Sequence, residues 1–246
     1  METHAQVFAL PKHGSSDAEY EDAYCLSFDR FRFAIADGAA ETSFSGAWAK
    51  QLVRAFTNRK LSIPIALEEL TPLQERWQKI AHRHPLPWYA EEKASSGAFA
   101  AFVGLEFSQE LSDKGKQKKW RATASGDSCL VQVRGDEIIQ AFPLADSAAF
   151  GNRPDLLSSA PNLNKKPELV TQCSGSFGCE DAFFLMTDAL ACWFFKEHEQ
   201  GKKPWILLKD LDTKDSVSFE NFVSDLRTCG QMKNDDVTLL RIDIIQ

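Results

Sequence analysis

The run Phe31-Arg32-Phe33-Ala34-Ile35-Ala36 is almost wholly apolar and stops at Asp37-Gly38. That pattern reads as a buried strand that releases a carboxylate at its end. The glycine lets the backbone turn tightly there and leaves the neighbouring carbonyl open to a ligand. Two further segments repeat the arrangement. Phe183-Phe184-Leu185-Met186-Thr187 runs into Asp188, and Asn234-Asp235-Asp236 stands at the head of the apolar stretch 237–245. Three such strands can gather oxygen donors at one end, which suits Mg²⁺ or Mn²⁺. Any one acid alone is a modest signal, because Asp also favours turns.

Between these landmarks the periodicity predicts an α+β chain. Residues 6–10 form a short strand that ends at Pro11. Residues 23–28 and 31–36 pair across Asp29-Arg30. Since the start of one antiparallel strand lies beside the end of the next, Glu21 and Asp22 are expected to meet Asp37. A helix follows with Phe44, Trp48, Leu52 and Ala55 or Phe56 on its inner face and Thr42 or Ser43 as its cap. A second starts at Thr71-Pro72, with Leu73, Trp77, Ile80 and Ala81 inward. Residues 97–107 and 120–125 read as strands joined by a charged loop over 108–119. Residues 129–133 and 137–142 make a hairpin through Arg134-Gly135-Asp136. Residues 182–187 form a strand that leads into a helix over 189–199. Two shorter helices, 205–211 and 219–226, precede the final strand.

Residues 144–178 carry prolines, asparagines and serines without periodicity. So long a stretch is either functional or a disordered insertion. The functional alternative predicts a mobile loop near the acids. Asp127, in Gly126-Asp127-Ser128, reads either as a catalytic group or as a local backbone clamp, and the clamp is the favoured reading. No repeat or linker divides the chain, so a single domain over 1–246 is expected.

A formal net charge of −7 argues against a general nucleic-acid binder. No apolar run reaches the length of a membrane span, and the first residues lack the basic and apolar regions of a secretion signal. The six cysteines include no pair at a zinc-ribbon or redox spacing. The close pair His82 and His84 would point apart on a helix. A cytoplasmic, monomeric chain with no nucleic-acid or membrane partner is the expectation.

Glu21, Asp22, Asp37, Asp188 and Asp235 repel one another if they meet, unless a cation stands among them. Two divalent ions would supply that charge and activate a water for attack on a phosphoryl group. No P-loop, nucleophile elbow or Ser-His-Asp arrangement competes.

The order of these motifs resembles the metal-dependent type-2C protein serine/threonine phosphatases, in a divergent bacterial form. The matching segments are Glu21-Asp22-Ala23, Ile35-Ala36-Asp37-Gly38, Ser96-Gly97-Ala98-Phe99-Ala100, Ala124-Ser125-Gly126-Asp127-Ser128, Leu185-Met186-Thr187-Asp188 and Asn234-Asp235-Asp236-Val237-Thr238. The resemblance implies a four-layer α-β-β-α sandwich of two antiparallel sheets flanked by helices. It implies a phosphoprotein substrate in signalling and two Mn²⁺ or Mg²⁺ ions, with catalysis resting on Asp37, Asp188 and Asp235. Asp37 would bridge the ions, Gly38 would offer its carbonyl, Asp188 and Asp235 would bind one ion, and Glu21 would hold metal-bound water. Asp22 and Asp236 would support the cluster from outside it.

Departures from the pattern are specific. Asp17 stands where the family usually has a phosphate-gripping arginine, leaving Lys12 as the candidate phosphate cation. Ala189 and Cys192 replace a Gly and an Asp after Asp188, and Ala94, with Glu92 nearby, replaces an Asp before Ser95-Ser96. Asp236 replaces an Asn, and Ala39 follows Asp37-Gly38 where some members have a histidine. These losses keep a second reading open: a catalytically impaired relative that binds a partner or a phosphoprotein.

Overall fold

The computed structural model describes residues 2–39, 44–83, 97–112, 115–151, 154–166, 168–212 and 216–245. The predicted caps Thr42 and Ser43, together with His84, Glu92, Ala94, Ser95 and Ser96, lie outside the described residues. In chain order the strands are β1 (Thr3–Leu10), β2 (Ala23–Ser27), β3 (Arg32–Gly38), β4 (Phe99–Ser112), β5 (Gly115–Ser125), β6 (Cys129–Arg134), β7 (Glu137–Phe142), β8 (Leu157–Ser158), β9 (Thr171–Ser176), β10 (Asp181–Met186) and β11 (Val237–Ile244). The helices are α1 (Ser45–Thr57), α2 (Thr71–Ala81), α3 (Asp188–Glu199), α4 (Pro204–Asp210) and α5 (Ser216–Thr228). The fold class is α+β with two antiparallel sheets, as expected.

The chain divides into two compact units. The first comprises Met1–Tyr20, Asp127–Arg153 and Phe177–Gln246 and holds a sheet of order β1-β11-β10-β6-β7, antiparallel throughout. One face, with Phe8, Val131, Phe184 and Leu239, packs on Trp193 and Phe194 of α3, Trp205 of α4, and Phe219 and Val223 of α5. Phe183, Leu185, Leu240 and Ile242 on the other face are equally buried. A strand withdrawn from water on both faces has no need of alternation, which is why β10 reads as an apolar run from Ala182 to Met186. Where β10 meets β6, Asp181 accepts from Arg134 Nε at 2.7 Å and from Gln132 Nε2 at 2.8 Å. Burial alone would raise that carboxyl, but these donors hold it below the ordinary carboxylate value.

The second unit comprises Glu21–Gly126 and Pro154–Ser176, with a sheet of order β2-β3-β4-β5-β9 and β8 paired to the start of β4. Its core joins Ala34, Ala36 and Phe102 of the sheet to Trp48, Leu52 and Phe56 of α1 and to Leu73, Trp77 and Ala81 of α2. Phe44 occupies the N-cap of α1 in the left-handed region, at φ 60°. Its carbonyl accepts from Trp48 N at 3.1 Å and from the Trp77 indole at 3.2 Å, which ties α2 to the head of α1. Arg32 and Arg121 both pair with the buried Glu106, at 3.0 and 2.7 Å. Burial works to raise the Glu106 carboxyl, and the two guanidiniums bring it below its usual value.

Three expectations change. The charged stretch 108–119 is a ladder rather than a loop, with Ser108 opposite Lys119 and Ser112 opposite Gly115. Extending the hairpin satisfies backbone donors and acceptors whatever the side chains are. Ile80 is 39% exposed and leaves the inner stripe of α2 to Leu73, Trp77 and Ala81, which are spaced four residues apart. The irregular stretch 144–178 contains β8 and β9. Lacking a side chain, Gly175 of β9 lets the strand lie against Trp120, whose indole would stand 2.8 Å from an added Cβ.

Candidate functional site

The predicted site residues fall into two sets, one in each unit. In the second unit the β2–β3 hairpin carries the first set. Its register ends at Ala23 opposite Ala36, so Glu21 and Asp22 continue alongside Asp37 and Gly38 as the antiparallel argument requires. A Cβ on Gly38 would lie 2.8 Å from the carbonyl oxygen of Glu21 and 2.8 Å from the carbonyl carbon of Ser45. Only glycine fits between these two backbones, which explains the residue type better than the turn does. The buried Ser45 hydroxyl, at the first residue of α1, donates to Glu21 Oε1 and fixes that carboxylate. Asp22 is buried.

In the first unit, Asp188 opens α3 directly after β10, and Asp235 lies just ahead of β11. The two strands are neighbours, and Thr187 and Thr238 lock their ends through Thr187 N to Thr238 O at 3.1 Å and Thr238 N to Thr187 Oγ1 at 2.9 Å. That lock brings Asp188 and Asp235 to one ammonium group. Lys233 Nζ stands 2.6 Å from Asp235 Oδ2 and 3.7 Å from Asp188 Oδ2. Asp127 precedes β6, which pairs with β10 on its other side. Its carboxyl is pushed up to about 6, chiefly by burial, then by the charge of Asp188 with a smaller push from Asp235; Lys233 offsets part of this. Asp127 thus shares the field of the acids, a role the local Gly-Asp-Ser turn did not favour in the sequence.

Asp236, predicted to support the cluster, is buried and accepts the backbone N–H of Lys12 at 2.8 Å. Asn234 Oδ1 likewise accepts from His13 N at 2.7 Å. These bonds pin the strand exit at Lys12 and His13, so Lys12 is held by its backbone next to the predicted motif. Arg227 of α5 was not anticipated. It donates to the Asp235 carbonyl at 2.5 Å and to the Pro11 carbonyl at 3.1 Å. Burial lowers its guanidinium from the ordinary value. Asp17 sits on a one-turn 3₁₀ helix and is exposed.

Asp127, Asp188 and Lys233 line a cavity of about 210 Å³ whose wall also includes Phe150, Gly151 and Lys196. The opening part of the 144–178 segment therefore borders these acids. Among the described residues no three His, Cys, Asp or Glu side chains form a ready cation-binding group. The donor chemistry nevertheless fits a hard divalent ion. The donors are all oxygens, and in the first unit three mutually repelling carboxylates gather near the ammonium of Lys233.

No protein-family model matches the sequence, and no curated protein does. Solved structures do match in fold. The serine/threonine phosphatase PstP/Ppp of Mycobacterium tuberculosis aligns over 99% of both chains, with a TM-score of 0.62 at 14% identity. The catalytic domain of PstP, solved with two manganese ions, gives 0.59 at 14% identity, again over 99% of both chains. PppA of Pseudomonas aeruginosa, a regulatory component of a type VI secretion system, gives 0.57 at 15% identity over 99% of this chain and 98% of its own. With its two antiparallel sheets, their helices, and acids at the strand ends, this chain has the fold of the type-2C serine/threonine phosphatases.

Proposed function

We propose that this chain is a divalent-metal-dependent phosphatase of phosphoserine and phosphothreonine in proteins. The observation that carries the reading is the pair of acid sets at strand ends, Glu21, Asp22, Asp37 and Gly38 in one unit and Asp188 with Asp235 in the other. They stand on a fold otherwise seen in phosphatases. In this reading Asp37, the Gly38 carbonyl, Glu21, Asp188 and Asp235 are ligands of two Mn²⁺ or Mg²⁺ ions. Bound ions would act as Lewis acids toward a phosphate ester and a water. Ser45 orients the Glu21 carboxylate, and the missing Cβ of Gly38 keeps the turn open. Asp22 and Asp236 brace the acids, and Lys12 is the proposed phosphate cation. We further propose that the two units work as a single domain in a monomeric cytoplasmic protein. Six free cysteines, two of them exposed, suit a reducing compartment. No described helix is long and apolar enough to cross a membrane.

Purified protein with Mn²⁺ should hydrolyse p-nitrophenyl phosphate and a phosphothreonine peptide. Asp37→Ala and Asp188→Ala should each lower the rate at least a hundredfold. Equal rates in wild type and both variants would overturn the assignment.

A second reading, a non-catalytic relative that binds a phosphoprotein or partner, is favoured by two observations. Asp17 replaces the arginine that would grip phosphate, removing a bidentate charge-assisted contact. Lys233 already supplies a cation to Asp188 and Asp235. Stoichiometric Mn²⁺ binding by calorimetry without any hydrolysis would select this reading.

A further inference from the structure

The second unit carries a groove that the acid site does not use. It lies between α1 and α2, has a volume of about 430 Å³, and is lined by Lys50, Arg54, Lys60 and Arg76. A cavity of this size is within the range that holds ligands. Lys50 and Arg54 are four residues apart and so share one face of α1. Among the described residues none of the four pairs with an acid. In a chain of net charge −7, four unneutralised cations around one groove are a local reversal of sign. Such a concentration attracts anions.

Two features narrow the anion. The groove also exposes apolar surface, from Leu73 and Ala55 at its wall to the half-exposed Ile80. A free phosphate ion has no use for that surface. Gln51 also lines the groove, and both atoms of its buried side-chain amide lack a hydrogen-bond partner. An amide with an unused donor and an unused acceptor is the complement of one peptide unit. Turning it toward an occupant would satisfy both atoms, whereas a bare anion would satisfy only the donor.

We propose that the α1–α2 groove docks a phosphorylated polypeptide segment, with the phosphate held by Arg54, Arg76 and their neighbouring lysines and the main chain met by Gln51. The proposal goes beyond the phosphatase reading and rests on it only for the choice of a phosphorylated polypeptide as the occupant. A phosphoserine brings nearly two negative charges and three acceptor oxygens, which arginine side chains bind well.

The test uses the full chain in EDTA, so that binding is read without turnover. A fluorescein-labelled degenerate phosphoserine peptide pool is titrated by anisotropy, against the same pool unphosphorylated, inorganic phosphate and a single-stranded oligonucleotide. The phosphorylated pool should bind at least tenfold tighter than the unphosphorylated one. Arg54→Glu and Arg76→Glu should each weaken it at least tenfold. Hydrolysis of p-nitrophenyl phosphate with Mn²⁺, which needs no docking, should stay within twofold of wild type in both variants. Gln51→Leu should weaken the peptide several-fold and leave the competition constant of inorganic phosphate unchanged. Unaltered peptide affinity in both charge-reversal variants would overturn the proposal, as would tighter binding of the oligonucleotide. Wild type that binds the peptide but never hydrolyses a phosphate ester would remove the phosphatase reading and leave the groove standing.

Discussion

The ammonium of Lys233 stands 2.6 Å from a carboxylate oxygen of Asp235, two residues along the chain, and also reaches Asp188. A short loop thereby places a tethered cation where two predicted metal ligands meet. All three side chains are partly exposed, so the pairing is worth on the order of 1 kcal/mol, equivalent to about a fivefold change in an equilibrium.

Lys233→Gln should therefore tighten Mn²⁺ binding about fivefold, because the ion no longer displaces an ammonium. The same change should lower the Tm of the metal-free protein by a few degrees, since Asp188 and Asp235 lose their counter-charge. Calorimetry with Mn²⁺ and thermal unfolding in EDTA measure the two effects. Weaker metal binding in the variant would show that Lys233 assists the ion rather than competing with it.

Asp127 gives a pH dependence of the metal-free protein. Its carboxyl is raised to about 6 in the fold, so ionising it costs stability. The penalty is absent below the unfolded value near 3.9, grows as pH rises, and is complete above about 6. Asp127→Asn should accordingly raise stability at pH 7.5 by on the order of 3 kcal/mol and give little gain at pH 4. Urea unfolding at the two pH values in EDTA checks this. An equal gain at both would mean that packing, not charge, is responsible.

Gly38→Ala probes the turn at the first acid set. The new methyl would press on two backbone groups at 2.8 Å, neither of which can rotate away. A cost of about 1–3 kcal/mol is expected from overpacking of this kind, along with loss of metal binding as Glu21 and Ser45 are forced apart. A variant with wild-type stability would show that the hairpin end relaxes freely.

The Glu106 network should behave as a buried ion cluster. Removing Arg32 leaves Glu106 with Arg121 and Arg59, both more than half exposed. Arg32→Met should cost about 3–5 kcal/mol, while Arg121→Met costs less. Denaturant midpoints at pH 7 rank the two. Because the fold holds Glu106 below its ordinary value, its contribution is present above about pH 4.3 and fades as the solution is acidified below that. A reversed ranking of the arginines would discard this account.

The strands that lead to Asp37, Asp188 and Asp235 were legible because burial on both faces leaves long apolar runs, and a run that stops at an acid is hard to miss. The antiparallel register that set Glu21 and Asp22 beside Asp37 is the one β2 and β3 adopt, with Ala23 opposite Ala36. Other features depend on long-range contacts that no local pattern encodes. Asp127 joins the acids of its unit only because β6 lies beside β10, and Lys233 because its loop folds back on α3. β9 was hidden by a sequence of small polar residues that alternates without apolar content. The β4–β5 ladder was hidden because lysines and a glycine look like a loop until the backbone bonds are counted. Arg227 could have been flagged as a basic residue ahead of the final motif, but nothing local pointed it at a carbonyl.

The first unit's sheet sets β11 between β1 and β10, with Thr3 opposite Ile244. During synthesis β1 leaves the ribosome well ahead of β11, the partner that follows it after the other described strands. At translation speeds of roughly 5–20 residues per second that wait is on the order of ten seconds or more. The residues of the second unit are all synthesised by Ser176, well before β11. The nascent chain thus carries β1 as an unpaired edge strand until β11 emerges. His4 and Gln6 on that strand are polar, the residue type that blunts an unpaired edge against pairing with another chain.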